Sequence, residues 1–457
     1  MTPREGSLEA PTRHALDWKN PDFYDAEKIL AEEERIFDIC HGCRRCVSLC
    51  NAFPTLFDLI DATERGELEQ VPRAKFQDVV DQCYLCDMCY MVKCPYVPPH
   101  PWNVDFPHLM VRAKARQFRE GSPTKFRDSQ LAATDRNGKL ATIPVVVHAV
   151  NAGARSKPLR TVGEKVLGVD RDAWLPEFTP RKFRSHARKS PKFPARNGER
   201  TPGKVAVFAT CYVNYNEPEV GHDLLRILEH NEIPYVLAEK ESCCGMPRYE
   251  QGDLQAVEKL VRKNIPALLE LAREGYAILT PVPSCTLMFK QEVPLMFPGD
   301  ADIAAVRDAM FEPFEYFMAR KRDGLLKTEF PKPLGKVAYH IPCHARAQKI
   351  GQKAREALEA IPGTEVLTIE RCSGHAGTWG VKKEFHQTAM KIGRPVFRQI
   401  AEFKPDYFAS DCELAGHHIA QGLGEAIGEA RLRHPITLFR MAYGLPAGSK
   451  SEPERSS

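Results

Sequence analysis

Eight cysteines lie in two short runs near the start of this 457-residue chain, and no other feature restricts its fold as strongly. The first run has the pattern Cys-x2-Cys-x2-Cys-x3-Cys, and the second has the pattern Cys-x2-Cys-x2-Cys-x4-Cys-Pro. The runs consist of Cys40, Cys43, Cys46 and Cys50, and of Cys83, Cys86, Cys89 and Cys94. Soft thiolates at this spacing suit iron, because consecutive sulfurs can turn toward one cubane. The runs therefore predict two [4Fe–4S] clusters.

The fourth cysteine of each run is expected to ligate the cluster held by the other run. In proteins that carry two such clusters, this cysteine ligates the cluster whose other ligands lie in the opposite run. The pattern thus predicts two ligand sets, which are Cys40, Cys43, Cys46 and Cys94, and Cys83, Cys86, Cys89 and Cys50. The four-residue gap before Cys94 and the Asn51 that follows Cys50 depart from the usual spacing. Zinc is the alternative, but four-cysteine zinc sites usually consist of two separated Cys-x2-Cys pairs.

Composition narrows the class of protein further. The fifteen cysteines are an odd number, and the first residues lack the apolar core of a secretory signal. Disulfides are disfavoured in a reducing cytosol, so metal binding or redox chemistry explains the cysteines better. The formal net charge of +4 argues against a nucleic-acid-binding protein. No apolar run reaches the roughly 18 residues that a transmembrane helix needs. We expect a cytoplasmic protein, at most peripheral on the cytoplasmic face of the inner membrane.

The first half of the chain divides into three parts. Residues 1–24 are expected to form a flexible N-terminus. Residues 25–120 have helical apolar spacing that leads into both cysteine runs, which predicts one small α-helical domain. Residues 121–203 are rich in Pro, Gly and basic residues, and eight of the twenty residues in 181–200 are Lys or Arg. This composition is typical of a linker, and docking to an acidic partner or to anionic lipid is the alternative.

The rest of the chain repeats a set of landmarks, which predicts a duplication. Lys204 and Lys336 each precede a cysteine by seven residues, and the later landmarks follow in the same order. The pairs are Cys211 with Cys343, Cys243-Cys244-Gly245 with Cys372-Ser373-Gly374, and Cys285 with Cys412. We expect one domain over residues 204–330, a second over residues 331–446, and a flexible tail over residues 447–457.

Each repeat alternates short apolar strands with amphipathic helices, which predicts a parallel sheet covered by helices. The cysteines lie just past the ends of strands, and open α/β sheets place their ligands at that edge. We therefore expect the two repeats to superpose about a pseudo-two-fold axis. We also expect the cysteines of the first repeat to meet in one crevice. These are Cys211, Cys243, Cys244 and Cys285.

The order of these parts resembles the third, iron–sulfur subunit of anaerobic glycerol-3-phosphate dehydrogenase. The repeats also resemble the cysteine-rich CCG domains of heterodisulfide reductase-related iron–sulfur oxidoreductases, including relatives that accompany rubrerythrin. The resemblance spans roughly residues 25–445. The segments that carry it are Cys83–Pro95, Glu241–Pro247, Tyr339–His344, Cys372–Gly380 and Ile392–Arg398.

This resemblance implies an α+β multidomain protein, in which an N-terminal α-helical two-cluster ferredoxin domain precedes two tandem α/β CCG domains. It also implies an electron-transfer component that relays single electrons between a partner oxidoreductase and a quinone or redox-protein acceptor. The implied partner is a flavin dehydrogenase or a rubrerythrin-like protein.

A full CCG motif has five cysteines, and both repeats of this chain have fewer. The first repeat keeps four, with Met288 at the fifth position, which is enough for a further iron–sulfur cluster. The second repeat keeps three, with Ser373 and Ala415 where cysteines would stand. Three thiolates would hold a cluster only with help from Ser373, a neighbouring histidine or an exogenous ligand. The alternative is a relic site, whose cysteines are retained as small buried apolar residues. Neighbouring histidines are expected to be hydrogen-bonding partners rather than ligands, namely His340, His344, His375, His417 and His418.

The motifs of other enzyme classes do not occur in the sequence. It contains no G-x-G-x-x-G fingerprint after a strand, no P-loop and no G-x-S-x-G elbow. No catalytic residue is therefore assigned, and an electron-transfer component is favoured over a stand-alone catalyst. Two alternatives are left open: a heterodisulfide reductase-like thiol/disulfide reductase that uses the CCG crevice, and a redox or iron sensor.

Overall fold

The computed structural model describes residues 10–239, 241–428 and 430–448. The outer parts of the two ends expected to be flexible, 1–9 and 449–457, lie outside the described residues.

The N-terminal unit consists of helices that pack around aromatic side chains. Phe37 lies 5.2 Å from Phe76, and Phe53 lies 4.8 Å from Phe106, measured between ring centroids. The helices are α1 (Ala26–Cys43), α2 (Ala52–Asp61), α3 (Phe76–Gln82) and α4 (Phe106–Glu120), with 3-10 turns at Pro21–Tyr24, Leu68–Gln70 and Arg73–Lys75. Helix α1 begins where the Asp25 side chain accepts a hydrogen bond from the backbone of Lys28. It ends inside the first cysteine run.

Residues 10–24 differ from the flexible segment that the sequence suggests. Leu16 and Trp18 are each only 5% exposed. The indole of Trp18 donates to the backbone carbonyl of Met296, and the backbone N–H of Leu16 donates to that of Leu295. Burial of these two large apolar side chains holds the segment against the first repeat.

The stretch with the composition of a linker contains five helices. They are α5 (Lys125–Leu131), α6 (Thr134–Ala141), α7 (Pro144–Arg155), α8 (Lys157–Leu167) and α9 (Phe183–His186). Helix α6 packs closely on the first repeat, because an added Cβ at Gly138 would lie 2.3 Å from the ring of Tyr215. The side chain of Phe183 is fully buried. Much of residues 121–203 is thus folded against the domain that follows.

The first repeat is a four-stranded parallel sheet with helices between its strands. In chain order its elements are β1 (Val205–Val207), α10 (Cys211–Tyr215), α11 (Pro218–His230), β2 (Tyr235–Leu237), α12 (Met246–Glu250), α13 (Leu254–Arg273), β3 (Ala277–Leu279), α14 (Pro283–Leu287), a π-helical turn (Met288–Glu292), α15 (Val293–Met296), α16 (Ala301–Ala309), β4 (Met310–Phe311) and α17 (Pro313–Arg322). The strand order is β2-β1-β3-β4. Val205 pairs with Tyr235 on one side and with Ala277 on the other.

The second repeat has the same arrangement. Its elements are β5 (Gly335–His340), α18 (Cys343–Ala347), α19 (Lys353–Glu359), β6 (Thr364–Ile369), α20 (His386–Phe403), β7 (Tyr407–Ser410), α21 (Glu413–Leu423), a 3-10 turn (Gly424–Ile427), β8 (Arg431–Arg433) and α22 (Pro435–Ala442). The strand order is β6-β5-β7-β8, and every pairing is parallel. Each strand therefore occupies the place of its counterpart in the first repeat.

The two repeats share apolar packing on one side. Phe439 of α22 contacts Phe314 and Phe317 of α17, with ring centroids 5.6 and 6.2 Å away. Among the helices of the described ranges, none has the length and apolar character needed to cross a bilayer.

Candidate metal centres

The first cysteine run lies beside the last cysteine of the second run. Burial raises the pKa of the Cys46 thiol to about 12, and the nearby Cys94 adds to this rise. Burial also raises the pKa of Cys40, and the cysteines that add to that rise are Cys94, Cys46 and Cys43. The structure therefore brings Cys94 to the first run, although more than forty residues separate them in sequence.

In the second group, the last cysteine of the first run lies beside the first three cysteines of the second run. Burial raises the pKa of the Cys50 thiol, and the charge of the neighbouring Cys83 raises it further. Burial also raises the pKa of the Cys89 thiol. The neighbouring cysteines that raise it further are Cys86, Cys46, Cys83 and Cys50. Cys50 thus lies among the first three cysteines of the second run, and its neighbour Cys372 belongs to the second repeat.

Backbone N–H groups point at several of these sulfurs. Hydrogen bonds from the backbone of Ala52 and Leu85 oppose the upward pKa shifts of Cys50 and Cys83. Leu85 has a φ of 53°, so the chain turns through a left-handed conformation between two cysteines. Such a turn directs N–H groups toward the sulfurs, as expected for thiols that function as thiolates.

A π-helical turn accommodates the four-residue gap of the second run. The turn covers Cys89–Lys93, and the backbone N–H of Cys94 donates to the carbonyl of Cys89 at 2.8 Å. A π turn closes over five residues and therefore contains one residue more than an α turn. The extra residue is absorbed in this way, and Cys94 still reaches the first run.

Two groups of four soft thiols fit two [4Fe–4S] clusters in ligand type and number. Within the described residues, no three or more His, Cys, Asp or Glu side chains are arranged to hold a metal ion as they stand. The argument for two clusters therefore rests on which thiols lie near one another, and not on a preformed coordination geometry.

The four cysteines of the first repeat lie together, and Thr134 of α6 contacts two of them. The Thr134 hydroxyl accepts from the Cys211 thiol and donates to the Cys243 sulfur, both at 3.4 Å. Cys211 follows β1, and the other three cysteines follow β2 and β3. The remaining members of the group, Cys244 and Cys285, contact one another and are buried.

Cys243 is the member of this group that most readily becomes a thiolate. Its pKa is lowered well below the ordinary value, chiefly by hydrogen bonds from the thiols of Cys211 and Cys244. The backbone N–H of Gly245 also donates to its sulfur at 3.5 Å. Met288, at the position of the missing fifth cysteine, is completely buried. The site therefore has four thiols with an apolar side chain beside them.

The second repeat brings its three cysteines together in the same way. Burial raises the pKa of the Cys343 thiol, and Cys372 and Cys412 raise it further. The backbone N–H of Gly374 donates to the Cys372 sulfur at 3.3 Å. Ser373, which replaces a cysteine, is only 6% exposed.

A cavity of about 680 Å³ is bordered both by these three cysteines and by the second N-terminal group. The cavity lining includes Cys50 and Cys86 of the N-terminal unit and Cys343, Cys372 and Cys412 of the second repeat. The cavity also has basic side chains, namely Lys93, Arg346, Arg371 and Lys391. Its volume is within the range of small-molecule sites.

Tyr84 connects the N-terminal unit to the second repeat beside this cavity. Its hydroxyl lies 3.2 Å from the Cys372 sulfur, and its ring centroid lies 5.3 Å from that of Trp379. The Trp379 indole in turn donates to the carbonyl of Asp81 at 2.8 Å. The second cysteine run and the second repeat are thus in direct contact.

His340, His344, His375 and His418 are buried and neutral. His417 is half-buried and lies 3.1 Å from the Glu217 carboxylate. Burial lowers the pKa of His340 to about 4 and that of His375 to about 3. His340 contacts the Ser410 hydroxyl at 3.1 Å, and His344 contacts the Ser284 hydroxyl at 2.8 Å. These contacts agree with the hydrogen-bonding role expected for them. His375 differs, because its buried Nε2 atom has no hydrogen-bond partner among the described residues.

Thr134 and Tyr84 are the site residues that sequence reasoning missed. Thr134 lies in the stretch whose composition suggests a linker, so nothing marks it as a neighbour of Cys211. Tyr84 lies inside a recognised cysteine run, and its aromatic ring next to Cys83 was the available signal.

Comparisons with known proteins assign the two repeats to a family and identify relatives of the chain. The family described as "Cysteine-rich domain" matches residues 205–290 and 337–419. The third subunit of the anaerobic glycerol-3-phosphate dehydrogenase of Escherichia coli (strain K12) is 30% identical over 346 residues, which are 75% of this chain and 83% of that protein. A subunit of the fumarate reductase (CoM/CoB) of Methanothermobacter marburgensis is 29% identical over 253 residues, covering 54% and 48%. An uncharacterized iron-sulfur protein of Methanocaldococcus jannaschii is 30% identical over 241 residues, covering 52% and 45%.

The fold and the paired cysteine landmarks define a protein with two tandem cysteine-rich domains. The 30% identity to the Escherichia coli protein, over 75% of this chain and 83% of that protein, identifies the family. The chain belongs to the family of the third subunit of anaerobic glycerol-3-phosphate dehydrogenase.

Proposed function

We propose that this protein is an iron–sulfur electron-transfer subunit that carries two [4Fe–4S] clusters. The ligands of one cluster would be Cys40, Cys43, Cys46 and Cys94, and those of the other Cys83, Cys86, Cys89 and Cys50. The observation that carries this proposal is the grouping of the eight thiols, in which Cys94 and Cys50 each lie with the opposite run. When bound, such clusters accept and donate one electron at a time.

We infer a direction of electron transfer from the position of the cavity. The second group lies against the 680 Å³ cavity, whereas the cavity lining does not include the thiols of the first group. Tyr84 connects the second run to Cys372 beside this cavity. We assign the cavity side as the end at which electrons leave, either to a quinone or to a docked redox protein.

The partner is proposed from the names of the relatives together with the family resemblance of the sequence. Two of them are named as subunits of a dehydrogenase and of a reductase. A flavin dehydrogenase or a rubrerythrin-like protein would supply or accept the electrons, since the chain has no recognisable hydride-accepting site of its own. The four thiols of the first repeat are proposed as ligands of a further cluster.

Anaerobic purification followed by iron and sulfide quantitation tests the cluster content. About eight iron atoms per chain would support the two clusters, and about twelve would add the first-repeat site. The reduced protein is then offered a quinone analogue or a rubrerythrin, with low-temperature EPR as the readout. Reoxidation by one of them, without turnover of small organic substrates by the protein alone, supports the carrier function.

One observation favours a second candidate, a thiol/disulfide reductase. Three cysteines of the second repeat line a cavity large enough for a small disulfide. The two functions differ in the effect of Cys372→Ser. A reductase would lose disulfide turnover completely, whereas a carrier would show no such turnover before or after the substitution.

A further inference from the structure

Exposed apolar side chains are concentrated in one part of the described chain. Of the thirteen large apolar residues that are exposed there, nine lie between positions 140 and 167. These are Leu140, Ile143, Val145, Val146, Val150, Leu159, Val162, Val166 and Leu167. Contiguous apolar surface of this kind on a folded protein commonly marks an interaction site.

Helix α8 is turned with its apolar face to solvent. Leu159, Val162 and Val166 recur at helical spacing and are 58%, 56% and 74% exposed. Arg160 of the same helix instead faces the protein, where its guanidinium donates to the backbone carbonyls of Asp170 and Ala173, both at 2.6 Å. An amphipathic helix normally has the opposite orientation, so α8 presents an apolar face without a partner in the described chain.

Helix α7 extends this face. Val145 is 84% exposed, and Val146 and Val150 are 38% and 37% exposed. Val147 is fully buried and holds the helix to the rest of the protein. Helices α7 and α8 contact each other and are joined through Ser156 alone, so residues 144–167 form a helical hairpin.

The charge of this region is positive. Residues 134–167 contain six Lys or Arg and two acidic residues. The formal net charge of the whole chain is +4, so this segment has as much net positive charge as the entire protein. Lys157 and Lys165 of α8 are exposed and make no ion pair within the described residues. Cationic side chains thus accompany the apolar face.

We propose that the α7–α8 hairpin lies on the surface of an anionic lipid bilayer, with Leu159, Val162 and Val166 inserted among the headgroups. Interfacial helices of this kind combine an apolar face with Lys and Arg that attract anionic lipids. Each basic residue near such a surface strengthens binding about fivefold. Charge complementarity therefore favours lipid over a second copy of this chain, whose hairpin has the same sign of charge. The proposal is independent of cluster content.

Vesicle flotation with the full-length protein tests this assignment. The protein should float with vesicles of phosphatidylglycerol and phosphatidylcholine, float much less with pure phosphatidylcholine, and dissociate as salt is raised. Leu159→Ser/Val166→Ser should lower the partition coefficient at least ~10-fold, because two exposed apolar contacts are lost. Its matched control, Leu159→Val/Val166→Ile, should bind as the unaltered protein does.

Charge reversal separates the electrostatic contribution. Lys157→Glu/Lys165→Glu should weaken binding to anionic vesicles at least ~25-fold. The control Lys259→Glu/Lys321→Glu changes net charge equally at exposed sites outside the hairpin and should retain binding. Circular dichroism of each variant checks that the fold is kept. The proposal is overturned if the unaltered protein ignores anionic vesicles, if the Ser variant binds equally well, or if that variant instead abolishes a dimer.

Discussion

The guanidinium of Arg13 lies 2.7 Å from the carboxylate of Asp87, the residue that follows Cys86. The same guanidinium contacts Asp105 at 3.0 Å and Glu292 at 3.4 Å, and its side chain is only 7% exposed. Glu292 ends the π-helical turn that begins at Met288 in the first repeat. One buried cation thus joins the N-terminal segment, the second cysteine run and the first cysteine-rich domain.

Replacement of Arg13 by Gln should be among the most destabilising single changes outside the cysteines. It would leave the buried carboxylates of Asp87 and Glu292, and the half-buried one of Asp105, without this guanidinium, and breaking a buried ion pair costs about 3–5 kcal/mol. Urea unfolding under anaerobic conditions measures this loss. Lys19→Gln is the matched control, since its ion pair with Glu258 is exposed and should contribute less than ~1 kcal/mol. Equal effects of the two substitutions would contradict the role given to Arg13.

Cys94→Ser should deplete the cluster of Cys40, Cys43 and Cys46 and spare the other one. The physical reason is that Cys94 lies with the first run and not with its own. Iron content should fall from about eight toward about four atoms, with loss of one EPR signal. Cys50→Ser should remove the other signal. If Cys94→Ser and Cys83→Ser remove the same signal, the crossed assignment is wrong.

Gly374→Ala should destabilise the second repeat more than Gly275→Ala destabilises the first. Both glycines have positive φ values, 86° and 79°, so an alanine costs about 1–2 kcal/mol at either position. An added Cβ at Gly374 would also lie 2.0 Å from the carbonyl oxygen of Ala389, whereas none would be met within 4 Å at Gly275. Unfolding midpoints of the two variants measure the difference. Similar midpoints would mean that the turn at Gly374 can relax.

Stability should fall between about pH 5 and pH 8 because of Glu33. Burial raises the pKa of this carboxyl from 4.5 to about 7, so the folded protein holds a proton that the unfolded chain releases. Its contribution is complete below the unfolded pKa and is lost as pH rises through the folded pKa, at a cost of up to ~3 kcal/mol. Glu33→Gln should flatten this part of the urea-midpoint profile. The exposed Glu64→Gln should leave the slope unchanged, and an unaltered slope in Glu33→Gln would refute the assignment.

Several contacts of the site follow from sequence and others do not. The approach of Cys94 to Cys40 follows from spacing, because the fourth cysteine of such a run ligates the partner cluster. The approach of the Cys243-Cys244 pair to Cys285 follows from strands that end at one sheet edge. Periodicity and composition, in contrast, describe neighbours along the chain and say little about distant contacts.

The contacts that escaped prediction join distant segments. Arg13 and Asp87 are 74 residues apart, Thr134 and Cys211 are 77 apart, and Tyr84 and Cys372 are 288 apart. Each of these contacts depends on how a helix or loop packs against a neighbouring domain. Local sequence patterns do not predict such packing. Composition was also misleading over residues 121–203, where Pro and Lys occur within and between folded helices.

The two sheets have the same strand order although their cysteine sets differ, so the residues that form each sheet are distinct from the residues that carry its thiols. The ladder of β5, β6, β7 and β8 is held by backbone hydrogen bonds, and the three cysteines of the second repeat lie beyond the strand ends. Replacement of a cysteine in this copy therefore removes a thiol from the sheet edge without changing a residue of the strands. The second sheet has the strand order of the first although its edge carries three thiols and the other edge four, so the architecture does not depend on the number of cysteines.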